Sequence, residues 1–444
     1  MIGIYMFGAA LVLLAVGYPV AFSFGFVSLV FGAISAYFEL APDGGVTLVL
    51  FWDEFLSMFS MMPFRIYAIM TNKILLAVPL FIFMGIVLQK SKLAEKLLEA
   101  MGTLFGNIRG GVAISTVIVG TMLAASTGVV GASVVAMGVI SLPVMLKYGY
   151  SKPLACGTIC ASGTLGQIIP PSIILIILAD VFGVAVGDLF KAAVMPSLIL
   201  VGSYIVYILI ISYLKPEIAP AIKVDDSIST STRIKTALKA ILPPFALIFV
   251  VLGSIFAGVA TPTESASVGA IGAIILAIMY KEFSITLLMD SAKQTVKITA
   301  MVFAILIGAT AFSMVFVYTG ADGIVEEFMT SLPGDKWGFL ILSMLIILFL
   351  GFFIDFIEIS YIVVPILLPI AETIGINPIW FAILIAMNLQ TSFLTPPFGF
   401  SLFYLKGVAK NIATTDIYKG VVPFILIQIA VLASLIVFPE FFGF

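Results

Sequence analysis

The chain is built from apolar runs of roughly 16 to 30 residues, and no other feature limits its fold as strongly. A helix needs about 20 apolar residues to span the roughly 30 Å hydrocarbon core of a bilayer. The strands of a transmembrane barrel are about 10 residues long and alternate in polarity. These runs do not alternate, so the pattern predicts a helical bundle and excludes a barrel. Of 444 residues 62% are hydrophobic and 10% charged, with a mean hydropathy of +1.26, whereas soluble domains carry about 25% charged residues. The bilayer is therefore the solvent, and the length accommodates on the order of ten to a dozen membrane segments.

Several absences narrow the chemistry. The chain has no histidine, which excludes His-ligated metals, haem and imidazole acid–base catalysis. Cys156 and Cys160 lie four apart in an apolar helix and read as small core residues. No GxxxxGK[ST] phosphate loop is present, so ATP hydrolysis by that route is excluded. A net charge of −2 gives no nucleic-acid footprint. No cleavable signal peptide is expected, because the apolar run starts at Ile2 and no Lys or Arg precedes Arg65.

Two halves repeat. SLPVMLKYGY, GTLGQIIPPS and GDLFKAAVMP in 141–197 answer to LLPIAETIGI, QTSFLTPPFG and TDIYKGVVP in 367–424. Pro143 and Pro369, Gly149 and Gly375, Pro170 and Pro396, and Pro171 and Pro397 are each 226 apart; Asp188 and Asp416, and Lys191 and Lys419, are 228 apart. GYPVAFSFG (17–25) and ATPTESASVG (260–269) are a weaker pair. The spacing predicts scaffold helices over 1–64, a first repeat over 65–214 and a cytoplasmic linker over 215–239. Further scaffold helices follow over 240–297, then a second repeat over 298–444.

Of the 21 basic residues, 17 cluster in 90–109, at Lys147 and Lys152, in the linker (Lys223 among them), at 281–297 and at 406–419. The positive-inside rule places these segments in the cytoplasm. The mainly acidic segments 39–54 (Glu39, Asp43, Asp53, Glu54) and 321–336 (Asp322, Glu326, Glu327, Asp335) fall outside. The stretch 110–146 then starts and ends inside, as two short spans or a re-entrant hairpin, and its mate 337–372 starts and ends outside. Three crossings per half (65–90, 153–180 and 190–214 in the first) invert the second half. Inverted repeats with broken helices are an architecture of secondary transporters.

The Pro170-Pro171 and Pro396-Pro397 dyads should interrupt 153–180 and 378–405, since proline lacks a donor and clashes with the preceding turn. Backbone freed at membrane depth is tolerated where it is buried or lines a wet cavity. The freed carbonyls, with Thr164, Gln167, Asn388, Gln390, Thr391 and Thr395, are hard oxygen ligands suited to a small cation. At the hairpin centres Ser126, Thr127 and Gly128 permit close backbone approach. Asp355 and Glu358 are costly intramembrane acids that mark a functional site and suit a cation, a proton or a capping role. Glu264 reads as a helix cap, Asp180 and Asp188 as solvated interface residues. The apolar segment 45–62 suits the membrane interface or a partner subunit.

These segments resemble the large membrane subunit of tripartite ATP-independent periplasmic (TRAP) transporters. LLAVPLFIFMGIVL (75–88), AASTGVVGAS (124–133), GTLGQIIPPS (163–172), GVATPTESASVGA (258–270), GFFID (351–355) and TPPFG (395–399) carry the likeness across nearly the whole chain. The resemblance implies an all-α polytopic protein of the wider ion-transporter superfamily, in a bacterial inner membrane. Its transport domain, built from both hairpins and both broken helices, would move elevator-fashion against a scaffold. It further implies sodium coupling, a small organic acid as substrate, a separate four-helix membrane subunit and a periplasmic binding protein, with no cofactor.

Carried over by position, one sodium site would join Ser126, Thr127 and Gly128 to Thr164, Gly166 and Pro170. Another would join Gly351 and Asp355 to Gln390, Thr391, Thr395 and Pro396. Substrate would lie between the tips, near Ser126, Thr127, Gly163, Thr164, Asp355, Glu358, Asn388 and Thr395. Glu358 is an acid beyond the family's pattern and leaves proton coupling open. The rival readings are a stand-alone sodium–dicarboxylate symporter of the same superfamily, an intramembrane enzyme and a passive channel. The missing histidine and the lack of a nucleophile–base pair speak against the enzyme, and two symmetric hairpins against the channel.

Overall fold

The computed structural model describes residues 1–41, 47–222, 230–334 and 336–444, and their side chains except those of Ser126 and Thr230. Asp43, Lys223, Asp335 and the Ser126 side chain, named above, therefore lie outside the described residues. Two compact units result: Met1–Leu75 with Lys297–Pro378, and Leu76–Val296 with Ile379–Phe444.

The first unit opens with α1 (Ile2–Val16), α2 (Val20–Leu40), α3 (Leu48–Met58) and α4 (Met62–Thr71). The second holds α5 (Ala77–Lys90), α6 (Leu93–Phe105), α7 (Gly111–Thr127), α8 (Val130–Lys147), α9 (Lys152–Thr164), α10 (Ile173–Val181), α11 (Val186–Leu214), α12 (Thr230–Phe256) and α13 (Pro262–Met279). The 34-residue α14 (Ile285–Tyr318) leads the chain back to the first unit, with α15 (Ala321–Thr330), α16 (Lys336–Leu350), α17 (Phe356–Glu358) and α18 (Val364–Thr373). Finally α19 (Pro378–Leu394), α20 (Phe400–Val408) and α21 (Thr414–Val437) complete the second.

Among the described residues, eight helices are long and apolar enough to cross a membrane, nine if α5 and α6, bent by 58°, count as one broken span. That is fewer than the length suggested, because turns cut several apolar runs into shorter pieces. The stretch 65–90, read above as a single crossing, is one of them. The Asn72 carboxamide oxygen accepts from the backbone N–H of Ile74 (2.8 Å) and Leu75 (3.4 Å), ending α4 and separating it from α5. The polar linker is also shorter than expected, since α12 already begins at Thr230.

Each unit packs by close approach of small residues and rings. In the first, Phe24 meets Phe312 edge-on at 5.0 Å, and a Cβ on Gly308 would sit 2.7 Å from the Ala21 carbonyl oxygen. In the second, α9 and α21 cross where Gly157 faces Gly420, and a methyl on either would strike the other helix's backbone. Lys96 donates to the Tyr280 carbonyl (2.9 Å) at the C-terminal end of α13 and pairs with Glu282 at 3.4 Å. A cation there suits the helix dipole. At the other end of α13 Thr261 and Glu264 form a reciprocal capping box, the role expected of Glu264. Cys156 and Cys160 are unbridged and fully buried, as expected of core residues.

The repeat is visible in conformation. Gly149 and Gly375 both adopt positive φ (81° and 74°). Ala185 and Ala413, which precede α11 and α21, share φ/ψ of −67°/130° and −69°/140°.

Candidate functional site

The two double-proline breaks fall inside helices that are buried almost throughout. Leu154–Thr164 of α9, Ile173–Ala179 of α10 and Trp380–Leu394 of α19 are all buried. At the first break the interrupted backbone lies in the protein interior, as a low-dielectric surround requires, whereas at the second Thr395 and Pro396 are half-buried and Pro397 and Phe398 exposed. After α9 the chain tightens into a 3₁₀ turn over Leu165–Gln167, and α10 begins only after Ser172. After α19 it opens over Thr395–Gly399 before α20. The Pro170-Pro171 and Pro396-Pro397 bonds are both cis.

One rule accounts for both breaks. A proline leaves the carbonyl four residues earlier without its helical donor. For Pro171 that carbonyl belongs to Gln167, and the Ser172 hydroxyl donates to it at 2.6 Å. For Pro397 it belongs to Phe393, and the Ser401 hydroxyl donates to it at 2.7 Å. The neighbouring Ile168 carbonyl accepts from Ser197 of α11 at 3.0 Å. Some of the freed carbonyls are therefore already engaged by serines that the sequence reading did not single out. Ser172 also accepts from the Leu175 N–H and caps α10. A serine before an apolar run is a readable cap signal; Ser197 and Ser401 carry no comparable signal.

The hairpin of α7 and α8 grips the first break. Gly128 turns its tip at φ 61°, and the Thr127 hydroxyl bonds that of Ser133 at 2.7 Å across it. A Cβ on Gly166 would lie 2.5 Å from the Ala124 carbonyl oxygen, one on Gly120 2.6 Å from Ser162 Oγ, and one on Gly128 2.9 Å from Ile173. Gly163 packs against Val134 of α8. Hence Thr127 and Gly128 lie against the segment carrying Gly163, Thr164, Gly166 and Pro170. The Thr164 hydroxyl donates to Ala161 at 2.9 Å, which keeps its oxygen lone pairs for another donor or a cation. The same hairpin meets the second broken helix, with Gly131 under the Tyr404 ring and Gly138 against Leu405 and Val408.

Along α19, Asn388, Gln390 and Thr391 are buried; Thr391 donates to Met387 (3.0 Å) and Thr395 to Thr391 (2.7 Å). Tyr204 of α11, fully buried, lies within reach of the carboxamides of both Gln390 and Gln428 of α21, which are fully buried too. Among the described residues, none of these three side chains forms a hydrogen bond of ordinary geometry. Sequence reasoning found Gln390 and missed its two companions, which lie on helices distant in sequence.

Gly351, Asp355 and Glu358 belong to the other unit. After α16 the chain leaves helical geometry at Gly351, and Asp355 caps α17 by accepting from the Phe356 N–H at 2.7 Å. Glu358 is 2% exposed, and its Oε2 has no hydrogen-bonding partner among the described residues. Directly after it, Ile359–Val363 forms a π-helical segment that no pattern in the sequence announced. Such wide turns recur at functional positions.

Hydroxyl, carboxamide and carbonyl oxygens held at breaks in largely buried helices, with the α7–α8 hairpin against them, define a multi-pass membrane transport protein rather than an enzyme. The model of the family "Tripartite ATP-independent periplasmic transporter, DctM component" matches residues 7–441, and the chain belongs to that family. It is similar to the C4-dicarboxylate TRAP transporter large permease protein of Pseudomonas aeruginosa, at 30% identity over 83% of this chain and 85% of that one. It is also similar to the ectoine/5-hydroxyectoine TRAP transporter large permease protein of Ruegeria pomeroyi, at 31% identity over 82% and 84%. Among solved structures, the YdaH transporter of Alcanivorax borkumensis aligns with a TM-score of 0.60 over 88% of this chain and 90% of that one. At 14% identity that likeness concerns the fold alone. The family's systems are tripartite, and this chain is a large-permease subunit.

Proposed function

We propose that the chain is the large subunit of a sodium-coupled, elevator-type uptake system for a small organic acid in a bacterial inner membrane. A small four-helix subunit and a periplasmic binding protein complete it. The observation carrying this reading is the hairpin of α7 and α8 lying against both broken helices, with oxygen ligands at the breaks and no carboxylate needed to hold them. Neutral oxygen donors at interrupted helices suit an alkali cation, and N-termini of half-helices suit a carboxylate. Sodium would bind between the first tip (Thr127, Gly128 and Ser126) and Thr164, Gly166 and Pro170. A second ion would use Gln390, Thr391, Thr395 and Pro396. The acid would lie near Gly163, Asn388 and Thr395.

The test is uptake in proteoliposomes, with and without an inward sodium gradient and with and without the binding protein. Uptake requiring both supports the reading. Sodium-driven uptake by the membrane chains alone would make the protein a stand-alone symporter. Thr395→Ala should raise the sodium concentration for half-maximal uptake, and unchanged sodium dependence removes that site assignment.

A further inference from the structure

The first unit contains a cavity of about 430 Å³ with no role in the sites above, within the size range of small-molecule pockets (about 300–1,000 Å³). Its polar lining includes Arg65 of α4, Thr310 and Ser313 of α14 and Tyr361 of the π-helical segment; Met61 and Met314 supply adaptable apolar surface. Arg65 is the one cation in this lining and the first in the chain. Its side chain forms no hydrogen bond or ion pair among the described residues. Glu54, on the neighbouring α3, instead accepts a hydrogen bond from Tyr318, which also lines the cavity.

A second cavity of about 140 Å³ adjoins it, sharing Ser313, Val317 and Pro365, and is lined by Asp322 and Glu326. Charge therefore changes sign from one cavity to the next. An unpartnered guanidinium presents a planar fork of donors matched to a carboxylate. A carboxylate leaving water for an apolar surround requires such a counter-charge.

We propose that this cavity is a binding pocket for an organic acid, with Arg65 as its carboxylate anchor and Ser313 and Thr310 as hydroxyl partners. This rests on the reading that the protein carries an acid. The acidic neighbours Asp322 and Glu326 repel a second carboxylate, so the ligand enters with one carboxylate on Arg65 and an uncharged or cationic end towards α15.

The test titrates the purified chain, with its small subunit, against the monocarboxylates lactate and gluconate, reading thermal stabilisation in wild type, Arg65→Gln and Arg65→Lys. Because Arg65 is exposed and unpartnered, Gln breaks no internal contact. At least one acid should stabilise the wild type saturably. Arg65→Gln should raise the half-saturating concentration of that acid about 10- to 100-fold, as expected for losing a charged hydrogen bond, and Arg65→Lys by less. Binding of phosphatidylglycerol, measured in parallel, should stay unchanged. Equal titration of wild type and Arg65→Gln overturns the proposal, as does failure of every acid to stabilise the wild type. Loss of phosphatidylglycerol binding without loss of acid binding assigns Arg65 to a lipid headgroup and overturns it too. Wild-type uptake in proteoliposomes is read separately, so the transport reading stands or falls on its own result.

Discussion

At the scale of single residues, the second unit depends on positions where a side chain is missing. Gly157 and Gly420 bring the backbones of α9 and α21 into contact, and each leaves no room for a methyl because the obstruction is main chain. Overpacking a tight site typically costs about 1–3 kcal/mol, and here no flexible side chain can yield. Gly157→Ala and Gly420→Ala should each lower the thermal midpoint of the purified chain. The double variant should cost less than the sum, because helices already separated by one methyl accommodate the second. Gly202→Ala on α11, with nothing within 4 Å, is the control and should be neutral. Equal midpoints for Gly157→Ala and Gly202→Ala would refute the close crossing. None of this was legible beforehand, since a glycine in an apolar run looks the same whether it faces lipid or another backbone.

At the scale of elements, the double prolines were the most readable signal, and also an incomplete one. A third dyad, Pro243-Pro244, lies inside α12 without ending it. There the carbonyl left without its donor is that of Ala240, and the Tyr280 hydroxyl, from the end of α13, donates to it at 3.2 Å. The same orphan is satisfied in all three places, by Ser172, Ser401 and Tyr280. The dyad alone therefore does not decide between a break and a continuous helix. Ser172→Ala and Ser401→Ala should each destabilise by about 1–3 kcal/mol, the cost of an unpaired buried carbonyl. Ser203→Ala should cost little, because Ser203 only bonds back to its own helix at Ile199 (2.7 Å). Thermal unfolding of the three variants checks this, and a Ser203→Ala loss as large as the others would show that any helix serine matters equally. The Asn72 turn and the π-helical segment after Glu358 escaped the reading because both arise from local backbone geometry without periodicity.

At the scale of the whole molecule, the all-helical class and the repeat were legible because apolar length and fixed spacing survive in sequence. The sidedness of the two halves rests on the distribution of lysines and arginines instead. Lys147 ends α8 and Thr373 ends α18, 226 positions apart, and both are exposed. If the halves are inverted, these equivalent positions face opposite sides of the membrane, Lys147 the cytoplasm and Thr373 the exterior. The native cysteines are fully buried and should stay silent to a membrane-impermeant maleimide. Thr373→Cys should then label in intact cells, and Lys147→Cys only after the membrane is permeabilised. Labelling of both from the same side would make the repeat parallel. The two hairpins would then open to one compartment, and alternating access by inverted halves would have no structural basis in this chain.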